Sequence, residues 1–396
     1  MFLLNKYYIL LKPQTRSDLV SEFNSCLVQL NEILMHYDLG PASVIKETIF
    51  IKTENNIQYQ QKYSTLLKLL KEFYHNVLPP TSIVAQTPEN QQKCVMELIL
   101  LNKKSEEVEL RRKKIDDIPY SVIKYSGIKE VYAGGLTSTF NSCTLLECAN
   151  NAFKLMERIL KIEKLTMGNV VRQWNYIEGI LNKKSTKGGF IQNYQIFNDV
   201  RSLYYSKNKF TKGYPASTGI GTNSGGIILD FIAINYTRNV RVIPIKNPRQ
   251  KNAYSYSDSI LVGEPIEKIS RKTSPKFERA KYISINNVGQ VYISGTAAII
   301  GQKSAWDQDA KNQTIITIEN IQKLISQSNL MDYNIPTNLS SPKLSYLRVY
   351  VKEEQDMNDV KTICKKYFPD VPTLYLISDI CRDDLLVELE GITEWF

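Results

Sequence analysis

The chain has 396 residues, 43% of them hydrophobic and 10% aromatic, and a formal charge of +10, which is length enough for two or three domains with cores of their own. No apolar run approaches the length that spans a bilayer, and the basic balance comes without zinc-finger spacing, an RNA-binding aromatic motif or a charged tail. Membrane and nucleic acid are therefore not the expected partners, whereas an anionic small molecule fits the charge.

The two histidines, His36 and His75, both fall in the N-terminal third. A histidine base, triad or His-rich metal site in the remaining two thirds is thereby excluded.

MFLLNKYYILLKP opens on an apolar and aromatic run that lacks a basic leader and a small-residue cleavage site, which reads as a first strand in a cytoplasmic protein. Leu19, Phe23, Leu27, Leu30 and Leu34 recur at helical spacing. The alternating SVIKETIFIK, a helix around YSTLLKLLKEFY, and the strands TSIVAQ and CVMELILL complete a first unit over residues 1–105. The mixed-charge run 103–114 reads as a solvated linker.

A second unit, 119–237, opens on EVYAGGL and continues with a helix over LLECANNAFKLMERILKIEK, the strand NVVRQWNYIEGI and a helix over NYQIFNDVRSLYYS. It closes on GYPASTGIGTNSGGIILDFIAIN, whose glycines Gly219, Gly221, Gly225 and Gly226 lie between two strands, so hairpin geometry is expected there and not a dinucleotide fingerprint. A Pro-, Tyr-, Ser- and Lys-rich connection over about 238–275 leads to a third unit, 276–396, which repeats the scheme. It holds the strands KYISI, QVYISGTAAII and LSYLRVYVKEE, with helices over NQTIITIENIQKLISQ and MNDVKTICKKYF.

The last stretch, LYLISDICRDDLLVELEGI at 374–392, reads as strand, turn, strand. In its second run Leu385, Val387 and Leu389 share one face, and Leu386, Glu388 and Glu390 share the other. An acid in such a strand either faces water or is partly buried with its pKa raised by desolvation, as general-acid chemistry near neutral pH requires. Alignment of the last strands places Glu97, Asp230 and Glu388 at equivalent positions, as expected of three domain-sized copies. Six cysteines show one close pair, Cys143 and Cys148, and free thiols in a reducing compartment are the expectation.

VYAGGL, VYISGTAAIIG, GYPASTGIG and LLVELEGI resemble strings of the RidA/YjgF fold, whose subunits form trimers with clefts between neighbours. Three such units in one chain imply a monomeric pseudo-trimer of α+β class, each mixed sheet covered by helices. Over 132–392 the strings RQWNYIEGI, NYQIFNDVR, YPASTGIGT, NPRQKNAYSY, SPKFERA, SGTAAIIG, LRVYVK and ICRDDLLVELEG resemble, in this order, the chorismatases. That resemblance implies cleavage of the enolpyruvyl ether of chorismate to pyruvate and a ring product, without metal or cofactor. It makes Glu388 the acid, Cys381 the residue that separates the benzoate-forming branch from the diol-forming branch, and Gly295 a companion marker. Residues 257–272 add length between AYSY and SPKFERA, at one wall of the pocket.

Chorismate is a dianion with a vinyl ether, so its cleavage requires one placed acid and cations for two carboxylates. The candidate cations are Arg172, Arg201, Arg279 and Arg348, and Asn175, Tyr194 and Tyr254 are the candidate polar contacts. Arg201 follows Tyr194 and Phe197 on one helix face, which points to a stacked, partly buried guanidinium. Cys381 is either an apolar filler or a reactive thiol lowered by Arg382. The expected product is 3-hydroxybenzoate. A dihydroxycyclohexadiene carboxylate, a RidA-like imine hydrolase and a ligand-binding protein without chemistry are the alternatives, the imine hydrolase disfavoured because Thr373 and Leu374, and no arginine, follow Pro372.

Overall fold

The computed structural model describes residues 6–102, 108–137, 143–237, 240–285, 288–305, 309–337 and 342–395. One four-strand order occurs three times. It reads Lys6–Leu11, Cys94–Leu101, Val44–Ile51, Thr81–Val84 in the first sheet, and Ile128–Leu136, Ile227–Tyr236, Val170–Glu178, Ala216–Thr222 in the second. In the third it reads Val288–Ala297, Val387–Trp395, Leu344–Val351, Thr373–Ile377. Each set is antiparallel except for its last pair, which is parallel, so the chain is α+β with mixed sheets.

A helix pair covers each sheet: Leu19–His36 with Asn56–Phe73, Leu145–Ile162 with Asn193–Tyr205, and Ala310–Leu324 with Met357–Tyr367. No described helix is long and apolar enough to cross a membrane.

The middle sheet gains the strands Glu109–Ile115 and Ile118–Tyr125, and the third gains Val240–Ile245 and Ala280–Ile285. Glu109–Ile115 corrects the expected linker, of which 103–107 lie outside the described residues. It is an edge strand whose two faces each carry one apolar residue, Leu110 or Ile115, among charged ones, and so it shows no alternation that signals burial.

The disulfide Cys143–Cys148 corrects the expectation of free thiols at those two positions. Thr144 is the N-cap of the helix Leu145–Ile162, in a capping box with Glu147. Cys143 and Cys148 therefore occupy the flanking and fourth positions that such a start brings into contact.

The inner faces of the three sheets meet in one core that contains Phe50, Trp174, Tyr176 and Tyr350. Buried charges cross it in a cycle. Lys46 of the first unit pairs with Asp230 of the second at 2.7 Å, Arg172 of the second with Glu390 of the third, and Arg348 of the third with Glu97 of the first at 2.6 Å. Each ion is thus neutralised by a neighbouring unit, as charge burial requires.

Strand register revises the expected equivalence of the acids. Glu97 pairs with Thr48, Asp230 with Trp174 and Glu390 with Arg348, and the residues parallel to those partners, Ser82, Thr218 and Leu374, also correspond. Glu390 is therefore the counterpart of Glu97 and Asp230. The counterparts of Glu388, paired with Tyr350, are Val95 and Ile228, paired with Phe50 and Tyr176. Two acids at a spacing of two on one face make the registers indistinguishable in the sequence. Of the three units, the third alone thus has an acid at the Glu388 position.

Candidate active site

On the strand Val387–Trp395, Val387 and Leu389 enter the helix-side core, while Glu388 and Glu390 leave the opposite face. Their surroundings differ. Glu390 accepts hydrogen bonds from Arg172, Thr218 and the Trp174 indole at 3.0 Å, and pairs with Arg348 at 2.7 Å. Burial pushes its pKa up, but Arg348 and Arg172 with these donors hold it below the ordinary carboxylate range. Glu388 is 4% exposed and hydrogen-bonds to no described residue. Desolvation, reinforced by the charge of Glu390 and opposed by Arg172 and Arg279, raises it to about 8. At neutral pH one carboxyl is ionised and the other holds a proton, the separation that lets a carboxylic acid act as a donor.

A bulge between Ile293 and Thr296 brings Gly295 against the Glu388 carboxyl, so that a Cβ at 295 would collide with it. The Gly295 N–H donates to Thr218 Oγ1 at 3.0 Å, which ties this bulge to the edge of the middle sheet.

Glu388 opens into a cleft between the middle and third sheets, with about 750 Å³ of empty volume including its mouth. The helix Asn193–Tyr205 presents Tyr194, Asn198 and Arg201 to it at i, i+4 and i+7. Arg201, 2% exposed, donates to Asn198 Oδ1 at 2.5 Å and lies over the Phe197 ring, and its Nε has no partner. Arg279, also 2% exposed, donates to the Tyr256 hydroxyl at 2.6 Å and the Lys251 carbonyl at 2.7 Å, and its Nε too is unpartnered. Neither forms an ion pair with a described carboxylate. Burial lowers the pKa of Arg201, with the Tyr194 and Tyr205 hydroxyls opposing. Two buried guanidiniums without acids are ready to receive an anion's charge.

Cys381 and Arg382 reach the cleft from the connector that precedes the Glu388 strand. The expected low-pKa thiol is corrected: desolvation first, then the Glu388 carboxyl, outweigh Arg382 and push Cys381 up to about 12. Arg382 instead donates to the Gln302 carbonyl at 2.9 Å and lies over the Tyr256 ring. Cys381 is a protonated thiol and not a nucleophile.

Of the residues singled out in the sequence, Glu388, Cys381, Tyr194, Arg201, Arg279 and Gly295 line this cleft. Arg172 and Arg348 do not, because their charges are spent on Glu390 and Glu97 at the centre of the molecule. Asn175 stands behind the cleft strand, donating to Ser217 Oγ and the Thr218 carbonyl, both at 2.8 Å. Tyr254 packs on Tyr214 with ring centroids 5.4 Å apart, and Tyr256, two residues on, lines the cleft in its place. Gln195, Asn198, Ser217 and Phe277 also line it and are not singled out by the sequence. Asn198 alone had a usable signal, its helical spacing from Tyr194 and Arg201.

Residues 122–233 match a family described as chorismatase FkbO/Hyg5-like, N-terminal. A 3-hydroxybenzoate synthase of Streptomyces hygroscopicus is 33% identical over 252 residues, which cover 62% of this chain and 69% of that protein. The chain belongs to the chorismatase family. A protein of the same species named chorismatase is 28% identical over 225 residues, 56% of this chain and 61% of its own length. The crystal structure of a chorismatase matches with a TM-score of 0.69 over 99% of both chains at 20% sequence identity. The shared fold thus takes in the first unit, which the family match at 122–233 does not reach.

Proposed function

We propose that this chorismatase cleaves the enolpyruvyl ether of chorismate to pyruvate and 3-hydroxybenzoate, with Glu388 as general acid and Cys381 steering the ring product. The observation that carries the reading is a buried, unpartnered, protonated Glu388 in the same cleft as two buried arginines that lack acids. Glu388 donates its proton to the methylene carbon of the vinyl ether, which generates an oxocarbenium ion. Arg201 and Arg279 hold the two carboxylates, and Tyr194 and Tyr256 border the ring. The name of the relative that is a 3-hydroxybenzoate synthase supports the choice of ring product. The test is to mix the enzyme with chorismate, follow pyruvate by a coupled assay and separate the ring products. Equal amounts of pyruvate and 3-hydroxybenzoate are expected, and the absence of pyruvate would remove the reading.

Arg201→Lys keeps the charge but replaces a stacked, forked donor by a point cation. It is expected to raise KM for chorismate about tenfold, the equivalent of about 1.4 kcal/mol, and an unchanged KM in steady-state kinetics would make Arg201 structural.

Cys381→Ala removes an S–H group beside Glu388 and leaves a space in the wall of the cleft. Pyruvate release is expected to stay within about tenfold, about 1.4 kcal/mol in barrier, while the ring product shifts from 3-hydroxybenzoate toward the non-aromatic diol. Chromatography decides, because an unaltered product ratio would reduce Cys381 to packing.

A further inference from the structure

Residues 257–273 form part of the wall of the Glu388 cleft as a strap fixed at both ends and in the middle. At the start, the Ser257 N–H donates to Gln302 Oε1 at 3.1 Å and Gln302 Nε2 donates to Ser257 Oγ at 2.8 Å. At the end, the buried Asp199 carboxylate accepts from the Ile266 N–H at 3.0 Å, the Thr273 N–H at 3.1 Å and the Thr273 hydroxyl at 2.7 Å. Asp199 sits on the helix that carries Tyr194 and Arg201, so the strap is tied to the cleft's own polar wall. In the middle, Gly263 bridges to Ile191 and the Glu264 N–H donates to the Phe190 carbonyl at 2.8 Å. Lys272 closes the strap on itself by donating to the Leu261 carbonyl at 2.7 Å and the Asp258 carbonyl at 3.1 Å. What this frame presents to the cleft is aliphatic: Ile260, Leu261 and Val262.

We infer that the strap, through Ile260, Leu261 and Val262, sets which ring product forms by keeping water from the cation that Glu388 generates. The inference rests on the chorismate reading above. In one course, a water oxygen bonds to the former vinyl carbon, one water proton passes to the ether oxygen and the other returns to the Glu388 carboxylate. The bond between that carbon and the ether oxygen then breaks, and the products are pyruvate and a ring diol. One water is consumed.

In the other course, the neighbouring ring hydroxyl oxygen bonds to the ring carbon that bears the ether. That carbon's ether bond breaks with its electron pair going to the oxygen that leaves in pyruvate, and the hydroxyl proton returns to the Glu388 carboxylate. The strained ring ether then opens at its other carbon, the carbon that keeps the oxygen loses its proton to form the last ring double bond, the oxygen gains one, and a phenol results. No water is consumed. A wall of three aliphatic side chains gives a water molecule no hydrogen-bond partner on that side, which disfavours the first course.

Two variants test the strap without altering Glu388 or the arginines. Leu261→Ser with Val262→Ser makes the wall polar. Gly263→Ala unseats it from outside the cleft, since Gly263 has φ of +78° and a Cβ there would stand 2.9 Å from the Phe190 carbonyl oxygen. Each variant is melted to confirm folding, and pyruvate and ring products from chorismate are measured together. The ratio of diol to hydroxybenzoate is expected to rise at least about fivefold, with pyruvate release still measurable. An unchanged ratio overturns the inference. So does complete loss of pyruvate from the folded variants, which would make the strap part of substrate binding. Should the double variant fail to fold, Gly263→Ala decides alone. Absence of pyruvate from the wild-type enzyme would instead overturn the chorismate reading on which the inference stands.

Discussion

Glu388→Gln is expected to lose about 10²- to 10⁴-fold in pyruvate release, the usual cost of removing one general acid, while chorismate binding changes little. The amide preserves the shape of the carboxyl and still fits against Gly295, where any larger neighbour would collide, but it has no proton to give at the methylene carbon. Stability separates this loss from misfolding. The folded pKa of Glu388, about 8, lies above its ordinary value of 4.5. The stability linked to its protonation is therefore fully present below pH 4.5 and is lost as pH rises through 8. Glutamine has no such titration, so the variant is expected to melt at or above the wild-type temperature at pH 8, with the gap opening between pH 4.5 and 8. A variant with wild-type turnover would mean that the proton comes from another group.

Arg348→Gln is expected to damage the molecule and not the chemistry directly. Arg348 is 1% exposed and holds Glu97 through one edge of its guanidinium, donating to it from Nε at 3.1 Å and from Nη2 at 2.6 and 2.7 Å. It also pairs with Glu390 at 2.7 Å and donates to the hydroxyls of Tyr350 at 2.9 Å and Tyr176 at 3.2 Å. Removing it leaves Glu97 buried without its cation, and breaking one side of a buried pair costs about 3–5 kcal/mol. Thermal and urea unfolding are expected to show a loss of that size, and Glu97→Gln in the same background should recover part of it, because the stranded charge is then gone. If Arg348→Gln melts like the wild type while KM for chorismate rises, the arginine belongs to the substrate and the cyclic ion network has been misassigned.

The contrast between Arg348 and Arg201 shows where sequence reading ended. Both look alike in the chain, each a lone cation near aromatic residues. What separates them is whether a carboxylate 251 residues away in sequence, Glu97, folds against the guanidinium, and neither periodicity nor spacing contains that contact. The faces of strands and helices were legible because burial imposes periods of 2 and 3.6. Glu388 was accordingly placed on the correct face of the correct strand, and Tyr194 and Arg201 on one side of their helix.

Register along a face was not legible. Glu388 and Glu390 obey the same alternation, and only pairing with Tyr350 and Arg348 tells them apart. Tyr254 and Tyr256 raised the same ambiguity in an irregular segment with no period at all. Between the two readings of Cys381 the sequence cannot choose, because adjacent Arg382 is visible in it, whereas the desolvation that outweighs that charge is a property of the folded cleft.

The pH dependence of kcat/KM for pyruvate release from chorismate tests the central claim most directly, since it reports the protonation of the free enzyme's essential groups. Glu388 must carry its proton to act as the acid, so kcat/KM is expected to be level toward neutral pH and to fall about tenfold per unit once the pH passes about 8. A profile that rises through this range would contradict it, because the working form of Glu388 would then be the carboxylate.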